Sequence, residues 1–248
     1  MSGHSKWSNI KFRKEIADKK KGKIFTKLAH LIAIAAREKS EIKLRLAIEK
    51  AKQANLPSVN IDRAIKRGTG ELGDVKFEDA TYEAFGPEKV AILISITTDN
   101  KNRTSSQIRN ILDKSGGKLA GSGSVSWMFE QKGIIRIVPK GSHREDKEEI
   151  ELIAIDAGAD DVTDEGSEIL IYTKPEELEK VKNELQKQNL AIINSEISMI
   201  PKNIVKVEDA SAAKKILKLM DELDNIDEVV SVAANFDIPD DLIKETEA

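Results

Sequence analysis

Apolar positions along the first seventy residues recur every three to four places, which predicts helices rather than strands. Ile24, Phe25, Leu28, Leu31, Ile32 and Ala35 make one stripe over residues 24–37. Leu44, Ala47, Ile48 and Ala51 make a second over about 43–54, and Pro57 stops that helix or opens the next. A third helix turns Ile61, Ala64 and Ile65 inward and Arg63, Lys66 and Arg67 outward, with Gly68 expected as its left-handed stop. Three short helices with one stripe each make a small bundle.

From residue 77 the pattern changes to strands. Glu78–Phe85 and Val90–Thr98 are rich in β-branched and aromatic residues and are joined through Gly86 and Pro87. The Asn102–Thr104 region is expected to cap a helix bearing Ile108, Ile111 and Leu112, which Gly116 and Gly117 end. Two strands, Ser124–Glu130 and Gly133–Val138, are expected after a glycine-serine turn. Next come a helix (about 145–157), strands at Asp161–Thr163 and Glu168–Thr173, a helix (175–188) and a strand at Ala191–Met199. With the strand at Gly133 this is the β-α-β-β-α-β order of a ferredoxin-like unit. A strand (Ile204–Val207), a helix (Ala210–Leu223) and a last strand (Glu228–Phe236) are surplus to it, so they are expected to finish the sheet begun at residue 77. The expected fold class is α/β, of the α+β type. It comprises a three-helix bundle-like domain (1–75), a discontinuous α/β domain (76–132 plus 202–248) and an inserted ferredoxin-like α/β domain (133–201).

Charge sharpens this division. Met1–Gly70 holds 18 Lys and Arg against 6 Asp and Glu, whereas the remainder holds 22 against 37, so a net charge of −3 conceals halves of opposite sign. A basic block with few interspersed acids points to nucleic acid, because each Lys or Arg meeting a phosphate releases condensed counterions. A solvated helical surface is the bland alternative, but Trp7 and Phe12 sit among the bases. The candidate contacts are Lys6, Trp7, Lys11, Arg13, Lys14, Lys20, Lys23, Lys27, Arg63, Lys66 and Arg67. A possible second patch is Asn100, Asn102, Arg103 and Arg109, at a helix start where backbone N–H groups favour an anion.

Other chemistries find less support. Gly68, Gly70 and Gly73 spell G-x-G-x-x-G, but after a helix and before a strand, the reverse of a dinucleotide fingerprint. They read as a linker. The acids Asp160, Asp161, Asp164, Glu165 and Glu168 lack the glycine and flanking helices of a calcium loop and read as a solvated turn. There is no cysteine, and the three histidines are scattered. No cofactor, no metal and no catalysis are therefore expected. Apolar stretches such as Val90–Ile96 are too short for a bilayer, and no secretory h-region opens the chain. A cytoplasmic protein without membrane contact is expected.

Several motifs resemble the YebC/PmpR family, which has mitochondrial translational-activator relatives. They are GHSKWSNIK at 3–11, GKIFTKL at 22–28, RLAIEKAKQANLP at 45–57 and NIDRAIKRGTGEL at 60–72, then YEAFGP at 82–87, TDNKNRT at 98–104, GSVSWMF at 123–129 and NFDIPDD at 235–241. The resemblance implies a helical N-terminal domain and two α/β domains, the last inserted in the other. Glu88 and Lys89 stand where the family usually has two glycines, Ala120 where a glycine is common, and Leu56 for a usual methionine; the loop near 39–42 is short. The resemblance implies a regulator of gene expression, described for some members as DNA-binding and for others as acting in translation. The residues favour RNA or the ribosome: Arg63, Lys66 and Arg67 suit phosphates better than base edges, and no recognition helix is visible. A DNA-binding transcriptional regulator is the alternative. The acidic α/β domains are candidates for protein contacts, and a monomer is expected.

Overall fold

The computed structural model describes residues 7, 10, 21–73, 77–98, 100–139, 144–166, 168–239 and 241–243, apart from the side chains of 21–24 and 144–146. Glu130–Ile200 form one compact unit, and the described parts of Gly3–Phe129 and Pro201–Ala248 form the other. The helical segment thus falls in the same unit as the discontinuous sheet. Among the described residues no helix is long and apolar enough to cross a membrane.

The first unit begins with α1 (Lys21–Arg37), α2 (Glu41–Gln53) and α3 (Ser58–Thr69). Their stripes meet in a core of Leu28, Ile32, Ala51, Leu56, Ile61 and Ala64, with Leu44, Ala47, Ile48 and Ile65 packed around it. Ser40 caps α2, its hydroxyl accepting from the Lys43 N–H. Gly68 is not the stop of α3; it lies inside the helix. A Cβ there would sit 2.1 Å from the Ala33 carbonyl oxygen, so the missing side chain is what lets α3 approach the backbone of α1. The left-handed residue is Gly70 (φ 85°), two places on. There Gly70 N–H donates to Arg67 O and Glu71 N–H to Lys66 O, the paired bonds of a Schellman ending.

The sheet of this unit contains β1 (Glu78–Phe85), β2 (Ala91–Thr98) and β3 (Lys118–Ala120), the last unexpected from the pattern. α4 (Lys101–Lys114) joins β2 to β3. The turn between β1 and β2 places Glu88 (φ 55°) and Lys89 (φ 59°) in the left-handed region. That explains why glycine suits both positions: it meets no Cβ clash there. Residues 124–128 of the expected strand Ser124–Glu130 form a turn instead, because Glu83 organises them, and only Phe129 and Glu130 are extended. The buried Glu83 carboxylate accepts from the N–H groups of Gly123, Val125 and Ser126 at 2.7, 2.6 and 2.9 Å. Burial raises its pKa, but these donors outweigh burial and hold the carboxyl below its ordinary value. One strand, β4 (Phe129–Ile137), follows.

β4 leads into the second unit, where α5 (Arg144–Ala157), β5 (Asp161–Asp164), β6 (Ile169–Thr173), α6 (Leu178–Lys187) and β7 (Ile192–Pro201) complete β-α-β-β-α-β. The strand order β5-β6-β4-β7 is the ferredoxin-like one. Arg136 on β4 is fully buried and lies 3.3 Å from the Glu168 carboxylate, a charged pair inside the unit.

The chain then returns through β8 (Val205–Lys206), α7 (Ala210–Asp224), β9 (Val229–Ala234) and β10 (Phe236–Asp237). β9 pairs antiparallel with β2, giving the order β3-β1-β2-β9. The expected strand Glu228–Phe236 breaks at Asn235, whose side-chain oxygen accepts from the Ala91 N–H at 2.7 Å. Beyond the break, β10 pairs in parallel with β8. Ile108 and Leu112 of α4 join Ile216, Leu219, Met220 and Leu223 of α7 in a core with Ile92, Ile94 and Ile96 of β2. Each such side chain, fully buried, contributes roughly 1.5–3 kcal/mol.

Candidate nucleic-acid interface

Arg63, Lys66 and Arg67 stand at i, i+3 and i+4 on α3, so they share one face, and all three are exposed. Ile61 and Ala64 face the bundle core, which fixes the rotation of the helix and so the outward direction of the basic face. Lys66 and Arg67 also occupy the last turn, where positive charge suits the helix dipole. Neither Arg63 nor Lys66 makes an ion pair among the described residues. Arg67 has its guanidinium carbon 5.1 Å from the centre of the Phe77 ring.

The other expected contacts divide. Lys6, Lys11, Arg13, Lys14 and Lys20, and the side chain of Lys23, lie outside the described residues. Trp7 departs from expectation: it is 2% exposed and packs with Ile10 in the core of the sheet unit. An indole among core residues offers no face to a base, and the polar sequence around Trp7 concealed that burial. Lys27 is engaged at the end of α7, its Nζ 2.8 Å from both the carboxylate and the carbonyl oxygen of Asp224.

In the second patch Asn100 caps α4, its side chain accepting from the Arg103 N–H at 3.0 Å. It sits ahead of the expected Asn102–Thr104 region. Asn102 is exposed, and its carbonyl accepts from the hydroxyls of Ser105 and Ser106. Arg103 pairs with Glu228 at 2.5 Å. Arg109 is exposed but about 9 Å further along the helix, so the four side chains do not converge on one anion.

α1 and α3 meet the sheet around a cleft of about 470 Å³ whose lining includes His30, Arg63, Arg67, Phe77, Arg103 and Asp227. Sequence reasoning missed this cleft, because its lining comes from elements distant in the chain. His30 Nε2 lies 3.0 Å from the Thr97 carbonyl oxygen; a carbonyl only accepts, so Nε2 carries the proton. Burial holds the imidazole below its ordinary pKa although the Thr97 bond opposes this, and the neutral ring keeps Nδ1 as an acceptor. The His30 and Phe77 rings meet edge to face at 5.4 Å. Arg37 ties the same region, donating to the Phe77 carbonyl at 2.8 Å and to Asp79.

Residues 5–71 match the family described as the TACO1/YebC protein N-terminal domain, and residues 77–236 match the TACO1/YebC second and third domain. The chain belongs to the YebC/PmpR family. A YebC/PmpR relative from Halothermothrix orenii is 48% identical over 99% of this chain and 98% of its own length. Another, from a Sulfurihydrogenibium species, is 48% identical over the whole of both chains. Both carry the name probable transcriptional regulatory protein. The crystal structure of a conserved hypothetical protein from Aquifex aeolicus superposes with a TM-score of 0.80 at 42% identity, covering 90% of this chain and 92% of that one.

Proposed function

We propose that the protein is a non-enzymatic, nucleic-acid-binding regulator of gene expression that acts on RNA, as a ribosome-associated translation factor. The observation that carries this reading is the exposed basic face of α3, on which Arg63 and Lys66 have no ion-pair partner among the described residues. Side chains of this kind position a phosphate backbone and carry little base information. Sequence-specific control of transcription needs binding roughly 10³-fold or more above non-specific affinity, from base-edge contacts or DNA deformation. A helix face whose exposed polar groups are chiefly Arg63, Lys66 and Arg67, with Asn60 alone able to read a base edge, suits shape recognition on a large folded RNA. The excess of acid after residue 70 repels bulk nucleic acid and leaves the basic face as the contact.

The name carried by the relatives favours a second reading, a DNA-binding transcriptional regulator. The two are separated by comparing affinity for purified ribosomes, random duplex DNA and promoter duplex at matched salt. Co-sedimentation with ribosomes and no preference among duplexes is the expected result. Promoter DNA preferred about a thousandfold over random DNA, without ribosome association, would establish the second reading instead.

A further inference from the structure

We propose that the cleft between α1, α3 and the turn after α7 binds one unpaired ribonucleotide, with its phosphate on Arg63, its base against Arg67 and Phe77, and its ribose 2′-hydroxyl on Asp227. This rests on the reading of the partner as RNA and assigns that reading a specific pocket.

The cleft's volume, about 470 Å³, lies within the range of small-ligand pockets, so it admits a nucleotide and excludes a duplex. Its chemistry is graded across the walls. Arg63 brings an exposed guanidinium with no ion-pair partner among the described residues, the group best suited to grip a phosphate through two parallel donors. Behind it Arg67 lies over Phe77, and the His30 and Phe77 rings meet edge to face. A guanidinium held over an aromatic ring is a prepared surface on which an unstacked base can lie. Aromatic residues are only 4% of the chain, so a ring at this basic cleft is a concentration of a scarce residue type.

The acids on the far wall set the sugar preference. Arg103 holds Glu228 in a 2.5 Å ion pair, which leaves the exposed Asp227 as the acceptor facing a ligand. A carboxylate beside a phosphate site repels the phosphate but accepts from a ribose 2′-hydroxyl, the device by which dinucleotide-binding folds read a ribose. The acceptor Nδ1 of His30, which also lines the cleft, adds a second group able to accept a hydrogen bond. A 2′-hydroxyl has a proton to share with the Asp227 carboxylate and a deoxyribose has none at that position, so the site favours ribose over deoxyribose.

The full chain, titrated with AMP and UMP, with their 2′-deoxy counterparts and with inorganic phosphate, tests this by NMR of the His30 and Phe77 ring resonances. The ribonucleotides are expected to shift both rings and to bind about tenfold more tightly than the deoxynucleotides. Arg63→Ala should weaken nucleotide binding about tenfold or more. Asp227→Asn, at an exposed site where folding tolerates change, should bring the ribose-to-deoxyribose ratio close to one. Equal affinity for ribose and deoxyribose in the unsubstituted chain would overturn the assignment of Asp227 and with it the proposal. Ring resonances unmoved at about 10 mM nucleotide, in a protein that still binds ribosomes, would remove the cleft as a site and leave the RNA reading standing. Nucleotide in the cleft without ribosome or RNA binding would do the reverse.

Discussion

Lys27 and Arg63 carry the same charge and meet different surroundings. Lys27 lies against the carboxylate and carbonyl oxygen of Asp224, and both partners are 18% exposed. Arg63 stands in solvent. Lys27→Ala is therefore expected to cost about 1 kcal/mol of stability and to leave the salt dependence of nucleic-acid binding unchanged. Arg63→Ala should leave stability within about 0.5 kcal/mol and flatten the slope of log K against log salt by about 0.7–0.9. Denaturant midpoints and a salt titration for each variant check both halves. His30 makes a different prediction. Burial holds its pKa below 6.5, so the unfolded chain takes up the proton first as pH falls. Its contribution to stability is complete above pH 6.5 and declines as pH falls toward the folded-state pKa. Urea midpoints at about pH 7 and pH 5.5 should differ, and His30→Gln, which keeps a donor for Thr97 without titrating, should narrow the difference.

At the scale of elements, two turns of chain show opposite uses of glycine. Gly68 is needed for proximity: in Gly68→Ala the new methyl meets the Ala33 carbonyl, which is backbone and cannot turn aside. The variant should lose about 1–3 kcal/mol as α1 and α3 separate. Glu88 and Lys89 hold left-handed conformations that cost a side chain about 1–2 kcal/mol, against about 0.5–1 kcal/mol for the extra freedom of an unfolded glycine. The first term wins, so Lys89→Gly should raise the thermal midpoint slightly. The helix order and the inserted ferredoxin-like unit were legible because most helices carry a clear stripe and the insertion a complete strand count, whereas β3, three residues long, was too short to show an alternation. What escaped the pattern was set by contacts distant in sequence. Ser124–Glu130 has the β-branched and aromatic content of a strand, yet the Glu83 carboxylate, some forty residues earlier, gathers its N–H groups into a turn. Asn235 similarly breaks a strand by answering the N–H of Ala91. At the candidate site the α3 face was readable from spacing alone. Trp7 was not, since one tryptophan among polar neighbours reads as exposed until the core that receives it is known.

At the scale of the whole molecule, the unit Glu130–Ile200 interrupts another without separating its ends. The Lys202 N–H donates to the Met128 carbonyl at 2.7 Å, a hairpin distance. Joining Phe129 to Pro201 through Asn-Gly should therefore leave a chain that folds around the β2–β9 pairing, with circular dichroism and a cooperative thermal transition as the measurement. The same closeness dictates an order of events during synthesis. Ala91 cannot meet Asn235 until 144 further residues have been made, so the sheet that hosts the insertion waits for the last part of the chain. The inserted unit needs only its own contiguous residues. Once β4 and β7 are paired, the loop separating the two halves of the host shrinks to a few residues, which removes about 2–3 kcal/mol of closure entropy. The guest thus acts as the clasp for its host: pulse-labelled hydrogen exchange during refolding should find β4, β6 and β7 protected before β2 and β9.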